Sequence, residues 1–338
     1  MPERMQALTE WLEDRLGGEV SLTVASADAS FRRYFRVGGD RRSYIAMDAP
    51  PAHEDCRPFL NVAALLEAAG VHVPHVIASD TARGFLLLED LGDVTYLEAL
   101  RGNDVDPDHL YRDAIRALVV MQSGVPTSAA VPAYDRALLR SEMELFRDWL
   151  LGRHLALTLS TDEQAMLDGV FAFLEASALE QPLVFVHRDY HSRNLMVVGE
   201  RNPGVLDFQD AVIGPLTYDL VSLLRDCYIA WPDDQVRGWL AFYRREALAA
   251  GIEGLEDEQL LWRRFGLMGI QRHLKAAGIF ARLNHRDGKN GYLADIPRTL
   301  NYVVRAAANH DELRPLVDFL GRRVVPALAR AGTQVALS

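Results

Sequence analysis

Apolar and polar positions over the first ninety residues alternate in short runs, interrupted once by a helical stretch. After an amphipathic, acidic segment at 1–17, residues 20–25, 33–37 and 43–47 predict strands. A loop at 26–32 separates the first two, and Gly38-Gly39-Asp40 supplies the turn between the last two. Residues 58–69 carry apolar side chains at helical spacing and stop at Gly70; 74–77 and 85–88 then read as strands around a polar turn at 79–84. Past Leu91-Gly92-Asp93 the period changes. Thr95 and Glu98 form a capping box, and helical segments dominate to the end. One break matters: apolar runs at 183–186 and 195–198 flank the polar segment 187–194, and a third run follows at 205–208.

Composition leaves this picture standing and narrows the function. The 338 residues are 49% hydrophobic and 25% charged, ordinary values for a globular chain. Cys56 and Cys227 stand alone without metal-ligand spacing, so a disulfide framework and a zinc site are both unexpected and a reducing, cytoplasmic setting is expected. No apolar run is long enough to span a membrane, so no membrane partner is expected. A net charge of -11 argues against nucleic acid, whose phosphates require a basic surface. Lysine occurs only at Lys275 and Lys289.

The polar segment carries a pattern with a chemical meaning. His187-Arg188-Asp189 with Asn194 five residues after the aspartate fits H-x-D-x4-N, and Asp207-Phe208 follows. Phosphoryl transfer needs an acceptor for the hydroxyl proton and hard oxygen ligands for magnesium on the phosphates. Asp189 suits the first role, Asn194 and Asp207 the second. His187 is assigned to fixing the loop, because the base is already supplied.

These residues, extended by Tyr190-His191, Gln209-Asp210, Gly214-Pro215 and Asp219-Leu220, resemble the aminoglycoside and choline phosphotransferase superfamily. The resemblance implies an α+β, bilobal protein-kinase-like fold: a small antiparallel-sheet lobe binding nucleotide at 1–89, a hinge at 90–93, and a larger, mainly helical catalytic and acceptor-binding lobe at 94–338. ATP and Mg2+ are the implied cofactors, and Asp219 takes a structural role. His191, two residues after the base, is typical of the small-molecule branch. The stretch from Asp207 to Asp219 is too short for an activation loop, so a protein substrate is not expected.

Within the superfamily, three blocks resemble the anomeric amino-sugar kinases of cell-wall recycling, which act on N-acetylmuramate and N-acetylglucosamine. They are the run from Ala29 to Arg36, Met47-Asp48-Ala49-Pro50, and Gln271-Arg272-His273-Leu274-Lys275 continuing to Lys289. The implied product is a sugar 1-phosphate for peptidoglycan recycling. A small-molecule amino sugar is the expected partner, and a monomer is favoured.

The departures from the wider pattern are informative. No lysine precedes Lys275, so the phosphate-binding lysine of the small lobe is missing; Met47 is expected in its place, and the matching helix glutamate is gone too. Joint loss is coherent, since a buried unpaired glutamate would be costly. Arg32 and Arg33 are the candidates for replacing the cation, together with the backbone of Ser30 and Phe31. On a strand the two arginines point to opposite faces, so at most one reaches the nucleotide easily. Main-chain atoms of Glu89 and Leu91 are expected at the adenine.

For the acceptor, His191, Arg193 and Asp210 lie close to the base in sequence, and Tyr228 and Trp231 suit a sugar ring or ordinary packing. A basic stretch near 263–289 offers Arg272 and Lys275 for an anionic sugar; the plain alternative is a solvated helix face. Two competing readings stand beside this one. An amino-alcohol or aminoglycoside kinase would need a carboxylate-lined pocket, and a nucleotide-binding pseudokinase would account for the missing lysine.

Overall fold

The computed structural model describes residues 2–27, 31–38, 43–102 and 105–332; of Pro2, Ser26 and Ala27 it describes the backbone alone. The chain divides into two compact units, Met1–Val105 with Arg193–Asp210, and Asp106–Ser192 with Ala211–Ser338. The dividing point after Ser192 falls inside the polar segment, so Asp189 belongs to one unit and Asn194 and Asp207 to the other.

The first unit is built on an antiparallel sheet of β1 (Ser21–Ala27), β2 (Arg33–Gly38), β3 (Tyr44–Asp48), β4 (Val76–Asp80) and β5 (Phe85–Glu89), in the order β1-β2-β3-β5-β4. Side chains alternate between the faces. Phe35, Val37, Ala46, Phe85 and Leu87 share one face, which α1 (Pro2–Leu16) covers with Leu8, Trp11 and Leu12. Asp48 emerges on that face with no exposed surface, held by Arg4 and by Arg33, its cross-strand partner in β2. Met47 therefore points to the opposite face, fully buried and paired across the sheet with Tyr34 and Leu86. The helix α2 (Arg57–Ala69) buries Phe59, Val62, Ala63 and Leu66 and ends at Gly70, whose φ of 88° needs no Cβ. Downstream, the Thr95–Glu98 capping box opens α3 (Tyr96–Gly102) as the sequence predicts. A short hairpin of β7 (Leu195–Met196) and β8 (Gly204–Val205) completes the unit; Asn202 from its turn bonds the Tyr96 hydroxyl at 2.7 Å.

The second unit is helical, with α4 (Pro107–Gly124), α5 (Arg136–Leu145), α6 (Thr161–Leu179), α7 (Tyr218–Leu224), α8 (Asp233–Ala249), α9 (Glu258–Asp287) and α10 (Ile296–Ala307). Its two strands, β6 (Leu183–Val186) and β9 (Val212–Pro215), pair antiparallel. At its centre lies the 30-residue α9, which packs on α5, α6, α7 and α10. Gly269–Lys275 of this helix is buried on every face, the signature of an internal helix. Close approach requires Gly278, where a Cβ would lie 2.3 Å from the Leu145 carbonyl carbon. Because backbone cannot yield as a flexible side chain does, Gly278→Ala is expected to destabilise the protein by about 1–3 kcal/mol, read as a lower urea midpoint. Among the described residues, no helix is long and apolar enough to cross a membrane.

Candidate active site

β6 delivers the polar segment, and buried carboxylates fasten it. Asp219, in the first turn of α7, accepts the amide N–H of His187 at 2.6 Å and of Arg188 at 3.0 Å. Asp226, just beyond α7, accepts the amide of Ser192 at 3.0 Å and its hydroxyl at 2.5 Å. The Tyr190 hydroxyl donates to the Ala114 carbonyl at 2.8 Å. Arg188 adopts φ 77°, an unfavourable conformation for a long side chain, and its guanidinium pairs with Glu142. The Asp189 amide donates to His187 Nδ1 at 3.2 Å, making that nitrogen the unprotonated one and locking the fully buried ring. Burial pushes the Asp219 carboxyl up to about 6, against the pull of His187 and the two amides.

These anchors leave Asp189 as the partly exposed carboxylate of the segment. Removal from water works to raise its pKa, but the positive charge of Lys275, with His191 and Arg272, outweighs this and holds it below the ordinary aspartate value. It is therefore an anion at neutral pH. The cations come from α9, where the sequence left open a solvated face. The structure overturns that alternative for both residues: Arg272 keeps 5% and Lys275 7% of its surface exposed. Lys275 Nζ lies 2.9 Å from Glu142 and donates to the Tyr218 hydroxyl at 2.9 Å. Burial tends to discharge the ammonium, and Glu142 more than compensates, so Lys275 stays protonated.

Sequence reasoning missed the centre of this network. Glu142 has 4% exposed surface, takes Arg188 and Lys275 together, and also accepts from the Tyr134 hydroxyl and, at 3.3 Å, from Gln271. The signal was present: in α5 it stands among Leu139, Met143 and Phe146 at core spacing, where a carboxylate needs a partner. Asp226 is the other omission, a buried acid directly before Cys227.

Of the other acceptor candidates, His191 and Tyr228 meet edge to face at 5.3 Å, and Asp226 also fixes the Tyr228 amide at 2.9 Å. Trp231 is engaged in packing, donating its indole N–H to Tyr111 at 2.7 Å and contacting Trp239. Arg193 and Asp210 are exposed and fall in the sheet unit.

The sheet unit holds the remaining candidates. The Asn194 amide donates to Asp207 at 3.4 Å, and Gln209 donates to the other oxygen of the same carboxylate at 2.8 Å; Asp207 has φ 63°. One amide and one carboxylate oxygen side by side suit Mg2+, which takes few protein ligands and completes its shell with phosphate and water. Among the described residues no group of three or more histidine, cysteine or acidic side chains gathers as a metal site. Glu89, Asp90 and Leu91 line a cavity of about 470 Å³ with His72 and the 197–201 turn. Arg36 holds this segment in place, bonding Asp90 at 2.7 Å and the Gly92 carbonyl at 3.1 Å. Ser30 lies outside the described residues. Phe31 stacks on His53 at 4.7 Å, Arg32 pairs with Glu54 at 3.2 Å, and Arg33 is turned to the α1 face, away from Met47.

The phosphotransferase enzyme family matches residues 21–257. A protein of Pseudomonas putida named N-acetylmuramate/N-acetylglucosamine kinase is 49% identical over 334 residues, covering 95% of this chain and 97% of that one. A protein of the same name from Pseudomonas aeruginosa is 49% identical over 328 residues, covering 94% and 96%. Among solved structures, an ADP-bound aminoglycoside phosphotransferase superposes with a TM-score of 0.58 at 14% identity, covering 88% of this chain and 97% of that one, a likeness of fold alone. This chain belongs to the phosphotransferase enzyme family.

Proposed function

We propose that this kinase transfers the terminal phosphoryl group of ATP to the anomeric hydroxyl of N-acetylmuramate and N-acetylglucosamine. The observation that carries the reading is an anionic Asp189, held on a rigid loop beside two buried cations, in a chain nearly half identical to kinases named for those sugars. Asp189 orients the hydroxyl and accepts its proton as the oxygen bonds to phosphorus and the bond to the ADP oxygen breaks. A weak base suffices, because the transition state is loose and the proton leaves late. His191 and Tyr228 offer a polar edge and an aromatic face to the sugar ring.

Asn194 and Asp207 are the proposed metal ligands, and the cavity beside Glu89 and Leu91 is the proposed adenine site. A magnesium ion held there would neutralise phosphate charge. Asp207→Asn is expected to raise the Mg2+ concentration for half-maximal turnover by at least about tenfold with the fold intact. A magnesium titration of both enzymes checks this, and an unchanged requirement would remove Asp207 from the site. The acceptor assignment is tested by ADP release with the two amino sugars, choline and an aminoglycoside in parallel; faster release with either of the latter would favour the amino-alcohol or aminoglycoside reading.

A further inference from the structure

Two cations of α9 act on Asp189, and among the described residues only one of them has a carboxylate within ion-pair distance. Lys275 has Glu142 as its counter-ion at 2.9 Å. Arg272, 5% exposed, makes no ion pair with any carboxylate among the described residues. Its Nη1 reaches the Cys227 sulfur at 3.7 Å, and its enclosed Nε–H has no acceptor. Cys227 does not supply a negative charge, since burial raises its thiol pKa. Asp189 and Asp226 attract its charge, but Asp226 bonds Ser192 and Tyr228, and Asp219 bonds the His187 and Arg188 amides. A buried guanidinium with donors unused is costly, and its geometry suits an anion that arrives from outside.

The surroundings indicate which anion. The groups proposed for nucleotide and metal, Glu89, Leu91, Asn194 and Asp207, belong to the sheet unit, whereas Arg272 shares the helical unit with Asp189, His191 and Tyr228. The two sugars in the relatives' name differ by the lactyl ether on O3 of N-acetylmuramate, which carries the one carboxylate. Resting on the amino-sugar reading above, we propose that Arg272 is the acceptor-specificity residue and pairs with that carboxylate. Lys275, sharing the same helix and the same charge, does not serve this role because Glu142 already occupies it.

The test measures kcat/KM for N-acetylmuramate, its lactyl carboxamide and N-acetylglucosamine, with the wild-type enzyme and with Arg272→Gln. The wild type is expected to favour the acid over the carboxamide by about 10- to 100-fold, the worth of a charge-assisted hydrogen bond, and Arg272→Gln to lose most of that preference. Equal wild-type rates on acid and carboxamide would overturn the proposal, as would a variant that slows all three acceptors alike. The wild-type comparison needs no substitution, so equal rates overturn the proposal even where Arg272→Gln does not fold. No wild-type turnover on any of the three sugars would instead overturn the amino-sugar reading itself, and this inference with it.

Discussion

Asp189→Asn is expected to keep the wild-type fold and nucleotide affinity and to lose phosphoryl transfer by about 10³-fold, the usual worth of a positioned proton acceptor. Asparagine has nearly the same shape and can still accept a hydrogen bond from the sugar, but it cannot take the proton. The loop keeps its other anchors in the variant, since Asp219, Asp226 and Glu142 hold the neighbours of this residue. Because Lys275 and its neighbours hold Asp189 below its ordinary pKa near 3.8, the group stays ionised down to pH 5. Its titration therefore leaves kcat/KM flat between pH 5 and 7. Steady-state kinetics with circular dichroism and ADP binding checks all three statements, and near-wild-type turnover by the variant would contradict the assignment.

Glu142→Ala is expected to destabilise the protein by about 3–5 kcal/mol, the cost of leaving buried charge without its counter-ion. The carboxylate faces Arg188 and Lys275 together, and burial of Glu142 is tolerated only because these cations more than offset it, keeping its pKa below the ordinary glutamate value. Removing one stranded charge should recover part of the loss, so the double variant Glu142→Ala/Lys275→Met is expected to be more stable than Glu142→Ala alone. Urea unfolding of the three proteins measures the ranking. A double variant less stable than the single one would mean that Lys275 is stabilised by something other than Glu142.

The strands of the sheet unit and the capping box at Thr95 were legible in the sequence because they depend on local period and turn chemistry, which a single chain displays. β6 matched its apolar run residue for residue, whereas β7 and β8 proved shorter than theirs; Asp207, at positive φ, lies outside β8. The motif from His187 to Asp207 was legible as a pattern of residue types. Its fastening was not. Glu142, Asp219 and Asp226 lie 46, 31 and 34 residues from the loop positions they bind, separations that leave no periodic trace. Arg272 and Lys275 show the limit most clearly: the sequence offered them for an anionic sugar but left a solvated helix face open, and only the packing of α5, α6, α7 and α10 around α9 makes them interior. The cavity at Glu89 likewise needs the 197–201 turn, more than a hundred residues downstream.

The central claim, phosphorylation of the anomeric hydroxyl, is tested most directly by phosphorus NMR of the product formed from Mg-ATP and N-acetylmuramate. The account predicts a single phosphate coupled to the C1 proton of the sugar, stable to alkali and released by mild acid. A phosphate on any other carbon, or ADP release with no sugar phosphate, would contradict it.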